Sequence, residues 1–327
     1  MKQKKFKEKK TRKNFFQLVE ERILHFKKLG KKKTASNYTC ALRHFKQFRE
    51  EEDIAVEDLS VGLMKDFQAH LINVGLGMNT ISLYNRQLRA IYNYALDEEI
   101  VLIDRRPFRK SFTGQEKTRK RAVSHEKIRK LTHFSLAGKN KLEFARDLFL
   151  FSIYMQGMPF VDIAYLKKEQ VKNDFISYKR KKTNRHLTVK LHEKTKAIIH
   201  KYKVNDPDCP YLFPILYNPQ RKVSVEYSSA LRTHNNRLRQ ISELMGFDEL
   251  LTSYVARHTW ASQARQCGVH DTVISEAMGH NNLETTTIYL TSLDTGLIAS
   301  ANFQVIASFA RRQISVSYTH LRAHETS

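Results

Sequence analysis

The sequence has few cysteines and no long apolar run, and each absence argues against a class of protein. Its 327 residues include three cysteines, which are far apart and form no Cys-x-x-Cys pair. This argues against a disulfide scaffold or a structural zinc site and favours a reducing cytoplasm. No apolar stretch approaches the roughly 18 residues of a membrane span, and no secretory or lipidation signal is present. The fourteen histidines form no His-Glu pairs at ligand spacing, so we expect neither a metal nor another cofactor.

Positive charge is present in large excess. The chain has 57 Lys and Arg against 33 Asp and Glu, which gives a formal net charge of +24. A protein this basic repels itself unless it meets a polyanion, so nucleic acid is the expected partner and an anionic membrane the weaker alternative. The length predicts two domains, and the hydrophobic fraction of 41% is enough for ordinary cores.

The first part of the chain predicts a basic arm followed by a helical bundle. Residues 1–13 hold eight Lys or Arg against one Glu, which is equally typical of a DNA-contacting arm and of a solubilising tail. Apolar residues at helical spacing predict four helices within residues 14–98. Several cations off the apolar stripes are candidates for DNA backbone contacts, although each alone is typical of a solvated charge: Lys31, Lys32, Lys33, Arg43, Arg86 and Arg89.

The second part predicts a basic linker and a mixed domain. Residues 99–121 break the periodicity and form a linker lying along DNA, with Arg119, Lys120 and Arg121 as contacts. Residues 122–315 predict a largely helical domain with two strands, 175–178 and 186–191, joined by a basic tip. Further basic candidates on a long helix, 225–245, are Arg232, Arg237 and Arg239. Residues 316–327 have no periodicity and look like a translated cloning adaptor, so we expect a non-native tail.

The stretch from Ser253 to Leu290 predicts three short helices that bring Arg257, His280 and Tyr289 together. A phenol, a guanidinium and an imidazole suit phosphoryl transfer. The arginine can bind two phosphate oxygens, cationic neighbours favour the phenolate, and the histidine can donate to the phosphate or move the phenol proton. Taken singly, each residue is more typical of core packing or a solvated charge. The ordered set is what favours catalysis.

The ordered motifs Ala-Arg-His-Thr-Trp-Ala, Met-Gly-His-Asn-Asn and Thr-Thr-Ile-Tyr resemble the signature of the tyrosine recombinases, or phage-type integrases. The resemblance implies a SAM-like core-binding domain, a mainly α catalytic domain with a small sheet, and Tyr289 as the nucleophile that forms a 3′-phosphotyrosyl link without ATP or metal. It also implies that Lys182 on the basic tip is the general acid, with Lys181 as the alternative register.

Two positions depart from that family's pattern. Asp162 matches an acid that follows the first arginine, but the arginine register holds Pro159, and a related register holds Gln156. The histidine position three residues before the motif arginine holds Tyr254. A lost donor to a developing oxyanion costs about a hundredfold in rate or more, so we expect weakened activity, which arginine at position 156 should raise.

The leading hypothesis is therefore a site-specific recombinase of a phage or mobile element, working in the bacterial cytoplasm on double-stranded DNA as a homotetramer across two duplexes. The resemblance implies that the helix after the tyrosine, here residues 297–312, packs on a neighbouring subunit, and packing on its own domain is the alternative that the sequence leaves open. An alternative from another class is a DNA-binding protein derived from the fold that no longer cuts. A type IB topoisomerase, which needs no specific site, is a third.

Overall fold

The structure, a computed structural model, describes residues 13–116, 122–280 and 282–287. Its contacts divide the chain into two compact units, with the division between residues 118 and 119. Each unit has its own hydrophobic core. The fold is mostly helical with two small antiparallel sheets, which confirms the predicted class. None of the helices within these ranges combines the length and apolar content needed to cross a bilayer.

The first unit contains the helices that the apolar spacing predicted: α1 (Phe15–Lys28), α2 (Lys32–Phe48), α3 (Val61–Asn73) and α4 (Met78–Asp97). The Ser60 side chain caps α3 by accepting a hydrogen bond from the Leu63 amide at 3.1 Å. In the core, the Phe45 ring meets Phe15 and Phe67 edge to face at centroid distances of 5.5 and 5.0 Å. The apolar stripes therefore face inward and leave the charged sides of the helices to solvent.

The described part of the predicted linker, 99–121, packs on this first unit and extends it beyond the predicted bundle end at residue 98. Phe108 is buried in the helical core. The Phe112 amide donates to Gln68 Oε1 at 2.7 Å, and Asn85 Nδ2 donates to the Phe112 carbonyl at 3.0 Å. Asn85 is fully buried, so these bonds are shielded from water. The last three residues of the linker prediction lie outside the described residues: Arg119, Lys120 and Arg121.

The second unit is built around α6 (Asn140–Tyr154). Phe149 and Phe151 on this helix are almost fully buried, and Phe151 meets Phe213 edge to face at 5.0 Å. Other helices surround it: α5 (His125–His133), α7 (Phe160–Ala164), α8 (Glu193–Tyr202), α9 (Tyr227–Leu244) and α10 (Ser253–Gln266). The very short α7 was not predicted, because five residues are too few to show a helical period.

A three-stranded antiparallel sheet lies beside these helices: β1 (Val171–Lys172), β2 (Phe175–Lys179) and β3 (His186–Lys190). In its register Tyr178 is opposite Leu187, and Lys179 is opposite His186. This confirms the two predicted strands and leaves residues 180–185 as the hairpin tip. A second, two-stranded sheet was not predicted: β4 (Tyr217–Asn218) with β5 (Val223–Ser224).

Two short helices follow α10: α11 (Asp271–Ala277) and α12 (Leu283–Thr287). They confirm the predicted three-helix order around the motif residues. Several predictions fall on residues that the structure does not describe: Tyr289, the arm up to residue 12, the helix 297–312 and the tail 316–327.

Candidate active site

Arg257 lies buried in α10, with 3% of its surface exposed. Its Nη1 donates to the Gly157 carbonyl at 2.9 Å, and its Nη2 donates to the Met278 carbonyl at 2.7 Å. Gly157 has a φ of +69°, and a Cβ there would lie 3.2 Å from the Arg257 Cα and Cγ. Glycine is required at this position both for the left-handed backbone and for the close approach. The guanidinium plane is thus fixed by hydrogen bonds to two turns, one at Gly157 and one at Met278.

His280 lies on the turn after α11 and is 6% exposed. Its Nε2 is 2.8 Å from Arg257 Nη2, and its Nδ1 is 2.8 Å from the Thr286 hydroxyl on α12. A guanidinium only donates hydrogen bonds, so Nε2 accepts and the neutral ring carries its proton on Nδ1. Burial, followed by the positive charges of Arg257, Arg180 and Lys182, lowers the pKa of His280 to about 3. The imidazole is therefore neutral at physiological pH.

Arg180 is a second buried guanidinium at the same turn, and the sequence analysis did not single it out. It is 5% exposed, and its Nη1 donates to the carbonyls of Met278 at 2.7 Å and Gly279 at 3.2 Å. Its Nε donates to Asp162 Oδ2 at 3.4 Å in a buried ion pair. The alternation along β2 was a usable signal, since Ile176 and Tyr178 face the core and the next residue of that period is 180.

The rest of the hairpin tip also holds the 278–280 turn. The Thr183 hydroxyl donates to the Gly279 carbonyl at 3.3 Å, and Arg185 Nη1 donates to the His280 carbonyl at 2.8 Å. Gly279 has a φ of +64°, and a Cβ there would lie 2.7 Å from Arg180 Cδ. The hairpin and the turn therefore fit together only because residue 279 has no side chain.

The two lysines of the tip have different surroundings. The Lys181 amide donates to Asp162 Oδ1 at 2.9 Å, and its ammonium lies 4.3 Å from the Tyr165 ring centroid, on the α7 side of the sheet. Lys182 is exposed, and its positive charge is the last of the contributions that lower the pKa of His280.

The two candidate positions for the first arginine are on the turn that contacts Arg257. Gln156 is half-buried with a left-handed φ of +58°, directly before Gly157. Pro159 is the residue before α7. Arg146 on α6, the helix before this turn, donates to the Phe134 carbonyl at 2.7 Å and to Asp147 Oδ1 at 2.8 Å.

The other predicted site residues are at the surface. Tyr254 is 42% exposed in the first turn of α10, and its ring meets His258 edge to face at 4.6 Å. On α9, Arg232 and Arg239 are exposed and Arg237 is half-buried. The predicted DNA contacts of the first unit are all exposed: Lys31, Lys32, Lys33, Arg43, Arg86 and Arg89.

Comparison with known families agrees with these two units. Residues 14–113 match the model described as Phage integrase SAM-like domain, and residues 121–295 match the one described as Phage integrase family. The second match covers more than half of the chain, which therefore belongs to the phage integrase family of tyrosine recombinases. A "Tyrosine recombinase" of Pseudothermotoga lettingae is 25% identical over 286 residues, which are 83% of this chain and 91% of the relative. The class of activity is DNA recombination.

Solved structures with low sequence identity share the fold. The Tn1549 transposon integrase in complex with transposon right end DNA has a TM-score of 0.69 at 14% identity, covering 90% of this chain and all of that one. A lambda integrase dimer bound to a COC′ core site has a TM-score of 0.66 at 14% identity, covering 85% of this chain and 95% of that one. A lambda integrase tetramer bound to a Holliday junction also has a TM-score of 0.66 at 14% identity, covering 86% and 78%.

Proposed function

We propose that this protein is a site-specific recombinase that cuts and rejoins duplex DNA through a 3′-phosphotyrosyl intermediate on Tyr289. The observation that supports it is the convergence of Arg257, Arg180 and His280 on one turn directly before α12. Thr286 on α12 bonds His280. Tyr289 follows Thr286 by three residues in the sequence.

In the proposed reaction, the phenol of Tyr289 loses its proton to solvent water and its oxygen attacks the scissile phosphorus. The bond from phosphorus to the 5′ oxygen breaks, and that oxygen takes a proton from Lys182 to leave as a hydroxyl. Arg257 stabilises the charge that builds on the non-bridging oxygens. In the second half, a 5′-hydroxyl from another strand attacks the phosphotyrosine, which restores the phosphodiester and releases the phenol.

His280 acts in this scheme as a neutral acceptor that orients Arg257. A protonated imidazole would place two donors, Nε2 and Arg257 Nη2, 2.8 Å apart and break their hydrogen bond. The low pKa of His280 prevents this at neutral pH. The expected rate is reduced by the lack of an arginine at positions 156 and 159.

Double-stranded DNA is the proposed partner, and we propose a homotetramer on two duplexes as the active assembly. The net charge of +24 and the exposed cations of the first unit support DNA backbone contacts. In the second unit, an apolar groove of about 520 Å³ runs between α5, α6 and α10, lined in part by Ile153, Trp260 and Val269. An exposed apolar groove of this kind supports contacts between copies of the chain.

The test uses a pool of nicked duplexes with randomised sequence around the nick, because the nick lets the cleaved end diffuse away and traps the adduct. We expect a covalent protein–DNA adduct after denaturation, lost in Tyr289→Phe with DNA binding retained. Tyr94→Phe is the matched control, because Tyr94 is in the first unit, where its ring centroid lies 4.2 Å from Arg22 Cζ. DNA binding without any adduct would favour the non-cutting alternative. Relaxation of plasmids irrespective of sequence would favour a topoisomerase.

A further inference from the structure

We propose that Arg180 is a positioning residue of the strand-transfer site, which holds the His280 turn and places a second guanidinium beside Arg257. The inference rests on the proposed function for its role in DNA cleavage. The contacts that carry it are independent of that function, because they are properties of the protein without DNA.

One carbonyl oxygen joins the two arginines. Arg180 Nη1 and Arg257 Nη2 each donate to the Met278 carbonyl at 2.7 Å, and Arg180 Nη1 also lies 3.2 Å from the Gly279 carbonyl. These two peptide groups directly precede His280. The position of the imidazole therefore depends on a guanidinium that comes from the hairpin rather than from α10.

Several neighbouring residues fix the position of the Arg180 side chain. Asp162 accepts from Arg180 Nε at 3.4 Å and from the Lys181 amide at 2.9 Å, so one carboxylate orients both the side chain and the hairpin backbone. This carboxylate is 1% exposed. Gly279 leaves the space that the Arg180 Cδ occupies. A salt bridge this deeply buried costs desolvation energy, which solvated lysines on the same hairpin avoid.

Charge gives Arg180 an effect beyond holding the turn. Its guanidinium contributes, after burial and Arg257, to the low pKa of His280. The neutral imidazole can then accept the hydrogen bond from Arg257 Nη2. Among the described residues at the turn, the guanidiniums of Arg180, Arg185 and Arg257 outnumber the carboxylates of Asp162 and Glu276, and the resulting positive field favours an incoming phosphate.

The experiment compares Arg180→Met and Arg180→Lys, with Lys179→Met as the control that removes one exposed positive charge from the adjacent position. The substrate is a nicked duplex whose sequence is recovered from the covalent adduct formed with the randomised pool. Its cleavage rate is measured in single turnover at saturating DNA. We expect Arg180→Met to slow cleavage about a hundredfold with the DNA dissociation constant within about threefold of wild type. Arg180→Lys should cleave about tenfold faster than Arg180→Met, because lysine restores the positive charge but not the planar guanidinium. Lys179→Met should cleave at the wild-type rate.

A second readout needs no DNA. In the free protein, NMR titration of histidine-labelled samples should show the His280 pKa rising in Arg180→Met, because a repelling charge is removed, and staying low in Lys179→Met. Cleavage by Arg180→Met within threefold of wild type, or equal cleavage by the Met and Lys variants, would overturn the proposal. If Arg180→Met does not melt cooperatively, the test rests on Arg180→Lys. Cleavage by this variant about tenfold slower than wild type supports the proposal, and cleavage at the wild-type rate overturns it. Should wild type form no adduct, the proposed function fails, and an unchanged His280 titration would separately overturn the positioning role.

Discussion

His280→Gln and His280→Leu distinguish a histidine that accepts a hydrogen bond from one that transfers a proton. The ring accepts from Arg257 at Nε2 and donates to Thr286 at Nδ1, each over 2.8 Å. A glutamine amide offers an acceptor and a donor of the same kinds, whereas leucine offers neither. We therefore expect the glutamine variant to cleave within about tenfold of wild type and the leucine variant to be much slower.

The size of the difference follows from the two roles. Leaving a buried donor without its partner costs about 1–3 kcal/mol, which is roughly a five- to 150-fold loss of rate for the leucine variant relative to glutamine. For proton donation, the pKa of about 3 is the relevant quantity. At pH 7 only about one molecule in ten thousand carries the extra proton, equivalent to about 5 kcal/mol. A role as the protonated acid is therefore much more costly than a role as acceptor.

The assay is single-turnover cleavage from pH 5.5 to 8.5 at subsaturating DNA, which reports the ionisation of the free protein. We expect no inflection near pH 6.5 that depends on His280. The reasoning would be refuted by an inflection between pH 6 and 7 that both variants abolish, together with equal losses in the glutamine and leucine variants. That pattern would show proton transfer by the imidazole.

Three further predictions concern the surroundings of the site. Gln156→Arg tests the missing arginine: we expect a large gain in cleavage, because position 156 is one register of the absent donor, and cleavage unchanged from wild type would contradict that assignment. Gly279→Ala should lower the free energy of unfolding by about 1–3 kcal/mol and slow cleavage, because its Cβ clashes with Arg180 and its backbone is left-handed. The control is Gly246→Ala, where φ is +61° and no atom lies within 4 Å of the added Cβ. In urea titrations this control should show the cost of the left-handed backbone alone. Burial and the charge of a neighbouring arginine lower the pKa of His234 to about 3, so below pH 6.5 the unfolded chain binds a proton that the folded protein does not, and the free energy of unfolding falls by about 2 kcal/mol by pH 5. Urea unfolding of His234→Phe at pH 7.5 and 5.0 should lack this decrease. An unchanged decrease would argue against a buried neutral His234.

Helical periodicity was sufficient to predict most of the helices, because long amphipathic stretches show their period directly. The predicted three-helix stretch began at Ser253, which is the first residue of α10. The packing of residues 99–116 could not be predicted in the same way. It depends on polar contacts such as that from the Phe112 amide to Gln68, which join residues far apart in the chain.

The candidate site was predicted in part. The motif order was enough to bring Arg257 and His280 together, and the structure places them in direct contact. Arg180 was missed because a basic hairpin tip is usually a solvated turn, and only the strand alternation distinguishes its inward side chain from exposed Lys179. The pairing of Arg180 with Asp162 depends on the folded sheet and has no signature in sequence spacing.

The shared Met278 carbonyl has a consequence for how the purified protein is handled. Two cationic side chains held on one oxygen make the folded state a better receptor for small oxyanions than the unfolded chain. Any anion that binds only the native form raises the free energy of unfolding by RT ln(1 + c/Kd), where c is the free anion concentration, and the melting temperature rises with it. Thermal stability measured in sulfate or phosphate buffer should therefore exceed that measured in chloride at equal ionic strength, and the difference should shrink in Arg180→Met.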